Sequence, residues 1–397
     1  MAWHCPSRAL LLKLAAGTLL ACWVDLMPVD VHAHYVPHRI LATLEERARD
    51  FGVSLVKTPP QCALHFDYGL KVRPFFAKLI EPVAQRLDGM SAQGVSCQLL
   101  SVWPDIFAYG LPSPIAARWH RLMNESLSEL CHSYPGRFAL FASVPLPDAA
   151  AAVREAEFAM RQLGAAGLVV AANVEGVNLG ELDLDDFWQS AVSLDAPIFI
   201  HPVQAMPAPR TSKFGLVQIA QYTFDTTLCV GSLIFSGVLD RFPRLRIILA
   251  HGGGTFPYLL GRFDCPHARM DRAAQGDVAK AAPSAYVRRF YYDTVMHSPM
   301  HLRWLAEAVS VERMLLGSDY SFPPADLDPV GTVRSAGFSD TEVAKILDHN
   351  ARELIPRLRT SAKYGRRSYG LANDRHESDC HWSKRGYRQG GDPVLRA

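Results

Sequence analysis

A chain of 397 residues with 49% apolar and 20% charged side chains can bury an ordinary globular core, which excludes general disorder. The formal net charge is +2, but residues 359–397 hold nine Lys/Arg against four Asp/Glu, so the remainder is about three charges negative and offers no broad surface for nucleic acid. The eight cysteines contain no CxxC pair, which excludes a zinc ribbon or a dense disulfide framework and fits a reducing compartment.

In chain order, residues 1–26 read as an extension. Ala9–Cys22 follows Arg8, is apolar apart from Lys13, and is too short to span a bilayer. Two readings stay open: an exported or lipoprotein leader ending in Leu19-Leu20-Ala21-Cys22, or a start placed too early, because Met27 stands just before the first strand. The second makes the protein cytoplasmic, and it is the expectation adopted here. From Met27 to residue 358, short Val/Ile/Leu-rich runs alternate with amphipathic stretches, the pattern of repeated βα units. The expected strands are Val29–His32, Cys97–Val102, Phe138–Ser143, Gly167–Ala171, Pro197–His201, Arg246–His251, Phe290–Asp293 and Arg313–Asp319. Helical spacing marks Ile115–Ser133, Ala149–Leu163, Leu184–Leu194, Leu228–Arg241 and Met300–Val309, with Gly136, Gly164 and Pro243 where helices should end. Eight such repeats predict a (β/α)8 barrel as one domain over 27–358. The stretch from about Phe51 to Leu87 is too long for a βα connection and predicts an insertion after the first strand, over the catalytic face. Residues 359–397 lose apolar period and read as a disordered basic tail.

The chemistry-bearing residues fall at the strand ends. Asp30-Val31-His32-Ala33-His34 closes the first strand, and residues two apart in an extended segment point the same way, so both imidazoles can reach one ion. The fifth strand ends in His201, the sixth in His251 and the eighth in Asp319. Barrel enzymes build their sites on that face because rigid strand ends converge there. A single His after an apolar run is usually a satisfied core or loop residue, and HxH recurs by chance. Five metal-type residues on four strand ends make a site the better reading. Imidazole nitrogen with carboxylate oxygen suits one divalent ion, Zn2+ first, with Mn2+ and Fe2+ also compatible. Gly252-Gly253-Gly254 lacks the Lys-Ser/Thr of a P-loop and reads as a tight turn. Asp293 and His297 close the seventh strand, either lining the site or hydrogen-bonding behind it; Trp103 and Phe214 are candidate aromatic walls.

The order DxHxH, HP, HGGG followed by Pro and Arg, then GSDYxFP resembles the amidohydrolase superfamily, in its aminocarboxymuconate-semialdehyde decarboxylase-related branch. The resemblance covers about Pro28 to Ile355 and is closest over Phe235–Phe263 (FSGVLDRFPRLRIILAHGGGTFPYLLGRF), Tyr291–Pro299 (YYDTVMHSP) and Leu315–Pro323 (LLGSDYSFP). It implies that His32, His34, His201 and Asp319 are the metal ligands and that His251 is the acid/base, with Asp319 as ligand, proton relay or both. It further implies that Arg262 reaches a neighbouring subunit's site to hold a substrate carboxylate, and hence a homodimer. Hydrolases of this superfamily often bridge two metals through a carboxylated lysine ending strand four, but the chain has no lysine between Lys78 and Lys213. This supports a single metal. The chain departs from the family twice. It reads Phe214-Gly215 where a Trp is expected after the fifth strand, and only Arg73 and Lys78 approximate the arginine expected on the insertion. Glu175, four residues past the fourth strand, could substitute for the bridging lysine but reads first as a loop carboxylate, and Arg210 reads as either acid-binding or solvated. The expected function is a metal-dependent, non-oxidative decarboxylase of a small unsaturated or aromatic carboxylic acid. A hydrolase opening an amide or lactone is the alternative, and a catalytically inactive barrel ranks last because all five residue types are present.

Overall fold

The computed structural model describes residues 26–58, 61–203 and 209–359. The expectations for 1–26 and for the tail from 359 fall almost wholly outside these residues. Eight strands form one parallel sheet in chain order: β1 (Val29–His34), β2 (Cys97–Ser101), β3 (Phe138–Ser143), β4 (Gly167–Ala171), β5 (Ile198–His201), β6 (Ile247–Leu249), β7 (Phe290–Asp293) and β8 (Met314–Leu315). The first and last strands meet through Val31 N–H to Leu316 O at 2.8 Å, Asp319 N–H to His32 O at 2.8 Å, and a parallel bridge between Ala33 and Tyr320. The sheet is therefore a barrel, of the (β/α)8 type.

The strands are rich in Val, Ile, Leu and Phe because side chains on both faces are covered, inward by the barrel core and outward by helices. Helix Ser113–Ser133 turns Ala116, Trp119, Met123 and Leu127 inward at three- and four-residue spacing. Helix Ala149–Arg161 starts on an Asp148 side chain that accepts from Ala151 N–H at 2.9 Å. No helix among the described residues is long and apolar enough to cross a membrane.

Three elements differ from the sequence expectation. β8 spans two residues rather than seven, because beyond it the chain is held by Leu316 N–H to Ile346 O and Gly317 N–H to Thr294 Oγ1, and Asp319 turns left-handed at φ +60°. β6 ends at Leu249, two residues before His251, which also turns left-handed at φ +54°. The helix expected over Leu228–Arg241 is two helices, Tyr222–Phe235 and Val238–Arg241, parted by Gly237 at φ +72°. Between β1 and β2 lie helix His38–Arg47, an antiparallel hairpin of Val53–Thr58 with Gln61–Phe66, and helix Val83–Ala92.

β1 carries one extra residue against β2: Asp30 pairs with Gln98 and Ala33 with Leu100. Such a bulge re-aims the side chains beside it, here the His32 and His34 segment. Gly317 lies behind that segment, where a Cβ would stand 2.9 Å from Asp293 Cβ and 3.1 Å from His32 Cβ. Gly317→Ala is therefore expected to lower unfolding free energy by about 1–3 kcal/mol and to weaken metal binding. Chemical denaturation and metal titration check this, and an unchanged stability would show that the two strands yield freely.

Candidate active site

Five side chains from four strand ends meet in one place. His32, His34, His201 and Asp319 bring one ligand atom each to within 4.8 Å of one another, and all four residues are buried. His32 Nε2 lies 3.1 Å from His34 Nε2 and 3.1 Å from Asp319 Oδ1, and His34 Nε2 lies 3.4 Å from the same oxygen. His251 stands beside them, its Nε2 3.6 Å from Asp319 Oδ2 and its side chain 16% exposed.

The His32, His34 and His201 imidazoles are fixed from behind through Nδ1, whereas His251 Nδ1 is buried without a hydrogen-bond partner. His32 Nδ1 donates to Asp293 Oδ2 at 2.6 Å, His201 Nδ1 donates to Pro202 O at 2.6 Å, and His34 Nδ1 lies 2.9 Å from Ser101 Oγ and 3.4 Å from Val102 O. These partners leave every Nε2 facing the common point, as metal-binding histidines require. His201 Nε2 and Asp319 Oδ1 are buried and make no hydrogen bond. Buried polar atoms are rarely left so, and two imidazole Nε2 atoms at 3.1 Å repel unless a cation or proton sits between them. The donor set fits one divalent ion.

The protonation states agree. Burial holds His34 down at about 4 and, with the neighbouring imidazoles, His201 well below its ordinary value, so both stay neutral as ligands must. Burial also opposes charge on His32, but the Asp319 carboxylate and the Asp293 hydrogen bond outweigh it and raise the ring to about 10. That proton occupies the electrostatic place of a metal cation. Burial pushes Asp319 up, yet the charge of His32 and the close approach of the His251, His32 and His34 rings bring it well below the carboxylate range.

Two further carboxylates organise these residues. Asp293 Oδ2 accepts from His251 N–H at 2.9 Å as well as from His32, while Oδ1 accepts from Gly252 N–H at 2.9 Å and Val295 N–H at 3.1 Å. This requires the chain after β6 to fold tightly over Asp293. A Cβ on Gly252 would lie 2.2 Å from Met296 S and one on Gly254 2.2 Å from Thr223 O, so the glycine run is a turn, as read from the sequence. Asp30 accepts from His32 N–H, Gln98 Nε2, Ser318 N–H and Ser318 Oγ, joining β1 to β2 and to the end of β8. Burial nevertheless keeps its pKa up at about 6.

The ligand atoms open into a cavity of about 70 Å³ walled by Arg73, Trp103, Asp105, Tyr222, His297 and Phe322 among others. Arg73 lies over the Phe76 and Trp103 rings at 5.0 and 5.2 Å and pairs with Asp105 at 3.5 Å. Of the residues singled out in the sequence, Arg73, Trp103 and His297 line this cavity beside the cluster itself. Phe214 does not; it is 85% exposed. Lys78 sits over the Tyr320 ring at 5.0 Å, outside the cavity, and Arg210 and Arg262 are exposed and do not line it. Asp105, Gln218, Tyr222 and Phe322 line it and were not found from the sequence. They sit on loops or a π-helical turn (Val217–Gln221) running into helix Tyr222–Phe235, with no strand-end pattern to mark them.

The model for the amidohydrolase family matches residues 105–357, and the chain belongs to that family. It falls in the branch related to aminocarboxymuconate-semialdehyde decarboxylase. It is 29% identical over 331 residues to the 2-amino-3-carboxymuconate-6-semialdehyde decarboxylase of Dictyostelium discoideum, covering 83% of this chain and 91% of that one. To the 6-methylsalicylic acid decarboxylase of Penicillium expansum it is 28% identical, covering 83% and 97%. A dihydroxybenzoic acid decarboxylase of a Polaromonas species, solved with bound manganese, shares the fold at a TM-score of 0.67 and 23% identity over 83% of this chain and 96% of that one.

Replacing the charge on Asp293 while keeping its shape tests its place behind the His32, His34, His201 and Asp319 cluster. Asp293→Asn is expected to weaken metal affinity about 10–100-fold. Titration with a competing chelator reads this directly, and an unchanged affinity would show that His32 needs no carboxylate behind it.

Proposed function

We propose that this protein is a metal-dependent, non-oxidative carboxy-lyase of an unsaturated or aromatic carboxylic acid, with His32, His34, His201 and Asp319 holding one ion. The observation that carries the site is the convergence of three Nε2 atoms and one carboxylate oxygen, two of them buried without a hydrogen bond. β4 ends in Ala171-Ala172, so no lysine is placed to bridge a second ion. The imidazole-rich donor set favours Zn2+, and Mn2+ is compatible with it. When bound, the ion supplies Lewis acidity that orients and polarises substrate oxygens.

The chain's own groups do the rest. Breaking the bond to CO2 leaves the electron pair on carbon, which must take up a proton. His251 is the donor: its ring is next to the ligand cluster and partly open to solvent, from which the proton can be replaced. Asp319 Oδ2, 3.6 Å away, stabilises the imidazolium. The aromatic walls Trp103 and Phe322 exclude water around the charge as it forms.

A homodimer is part of this reading. Helix Tyr222–Phe235 leaves Phe224 52% and Leu228 61% exposed, with Ile219 68% exposed just before it. The helix packs on the segment bearing Arg262, through Thr227 Oγ1 to Thr255 Oγ1 at 2.8 Å and stacking of Phe235 on Phe263. An apolar face with Arg262 at its edge suits a second copy whose site that arginine enters.

Metal-loaded protein given a panel of aromatic and muconate-type acids should release CO2; hydrolysis of amides or lactones without CO2 release would favour the alternative. His251→Asn retains a residue tolerant of the left-handed backbone and should lower kcat about 10²–10⁴-fold with metal content unchanged. Arg262→Ala should also be inactive, and mixing the two variants should restore activity, because one hybrid site holds both native residues. Subunit exchange without recovered activity would remove Arg262 from the partner's site.

A further inference from the structure

The metal-side cavity, at about 70 Å³, is small for the substrate class proposed for it. A cavity of about 150 Å³ is what accommodates a benzene ring. An aromatic acid with its carboxylate at the ligand cluster must therefore extend into neighbouring space. Next to it lies a cleft of about 520 Å³, and the two share Arg73 and Asp105 as common walls. The cleft is lined in part by the segment that follows the inserted hairpin. Leu70 and Val72 come from that segment, Phe107 and Tyr109 from the loop after β2, and Val203 from the loop after β5.

This cleft is built rather than incidental. Tyr109 is buried, stacks on His120 with ring centroids 5.9 Å apart, and accepts from Ala171 N–H at 3.3 Å, so its ring is fixed against the barrel. Its β4 side is a tight hairpin turn, Asn173 pairing with Asn178 and Val174 with Val177. Glu175 and Gly176 at the turn both have positive φ, and Asn173 anchors it by Nδ2 to Asp225 Oδ1 at 2.8 Å. Lys71 and Glu175 are the charged groups at its exposed side, while the inner surface is aromatic and aliphatic.

We propose that this cleft is a second substrate subsite, taking a flat apolar extension, a second ring or an alkyl chain, on an aromatic acid whose carboxylate end lies at the metal ligands. The inference rests on the carboxy-lyase reading and narrows it to acids larger than a single substituted ring. The Arg73–Asp105 pair is the boundary the extension passes.

The test is calorimetric binding to the metal-loaded protein of salicylate and of 2-hydroxybiphenyl-3-carboxylate, with CO2 release followed separately. The biphenyl acid is expected to bind at least tenfold more tightly. Leu70→Trp, which adds bulk at one lining position, should reduce that preference to below twofold, and Val203→Trp should do the same at another. Because the preference is a ratio within one protein, partial loss of folded material does not alter it. Equal or tighter binding of salicylate by the native protein, or a preference that survives both substitutions, overturns the subsite. A tenfold preference without CO2 release from either acid supports the cleft and overturns the carboxy-lyase reading instead.

Discussion

The buried carboxylate of Asp293 is the interaction on which the site depends. A charge with no access to water is tolerated only when its lone pairs are taken up, and here four donors from three parts of the chain do so: the His32 ring, the backbone of His251 and Gly252, and the backbone of Val295. Those hydrogen bonds and the charge of His32 overcome the effect of burial and hold Asp293 below its ordinary pKa. The geometry this demands extends outward. The chain after β6 must curl over the carboxylate, which puts His251 in a left-handed conformation and leaves no room for side chains on the glycines that follow. The chain after β8 must pass close enough that Gly317 has no space for a Cβ.

His251, His297 and Asp319 all carry positive φ without being glycine, each at a cost of order 1–3 kcal/mol. Three such residues around one cavity mean that the surroundings over-determine their backbone. For Asp319 the constraint is visible: its N–H is held by His32 O, which turns the carboxylate toward the imidazoles. The strain is thus repaid in orientation at the point where the ligands converge.

Much of this was legible in the sequence because the barrel separates structure from chemistry along each strand. Apolar runs set the strands, and the residue types that interrupt them at the carboxyl end set the site, so His32, His34, His201, His251 and Asp319 could be read as a group. The strand boundaries were less legible where hydrogen bonds to distant elements override the local pattern, as at Leu316 and Gly317. The walls of the cavity were legible only in part: Arg73, Trp103 and His297 could be singled out, and the others could not. Tyr222 and Gln218 belong to a helix whose sequence period reports its buried face, and nothing in that period tells which end leans over the barrel mouth. Arg86 was missed for a related reason. Its guanidinium is fully buried, donating to Gln98 Oε1, His34 O and Ser321 Oγ, although arginine in a helical stretch ordinarily reads as solvated.

The seam between β1 and β8 gives the candidate metal-binding group a further property. His32 and Asp319 lie at opposite ends of the barrel sequence, and the hydrogen bonds from Asp30 to Ser318 span 288 residues. No partial assembly of βα units contains the full ligand set, so an ion that needs all four ligands has affinity only for the closed ring. Its binding free energy is then added entirely to closure. Were the four residues to hold an ion, its occupancy would become a measure of whether the chain has completed its circuit.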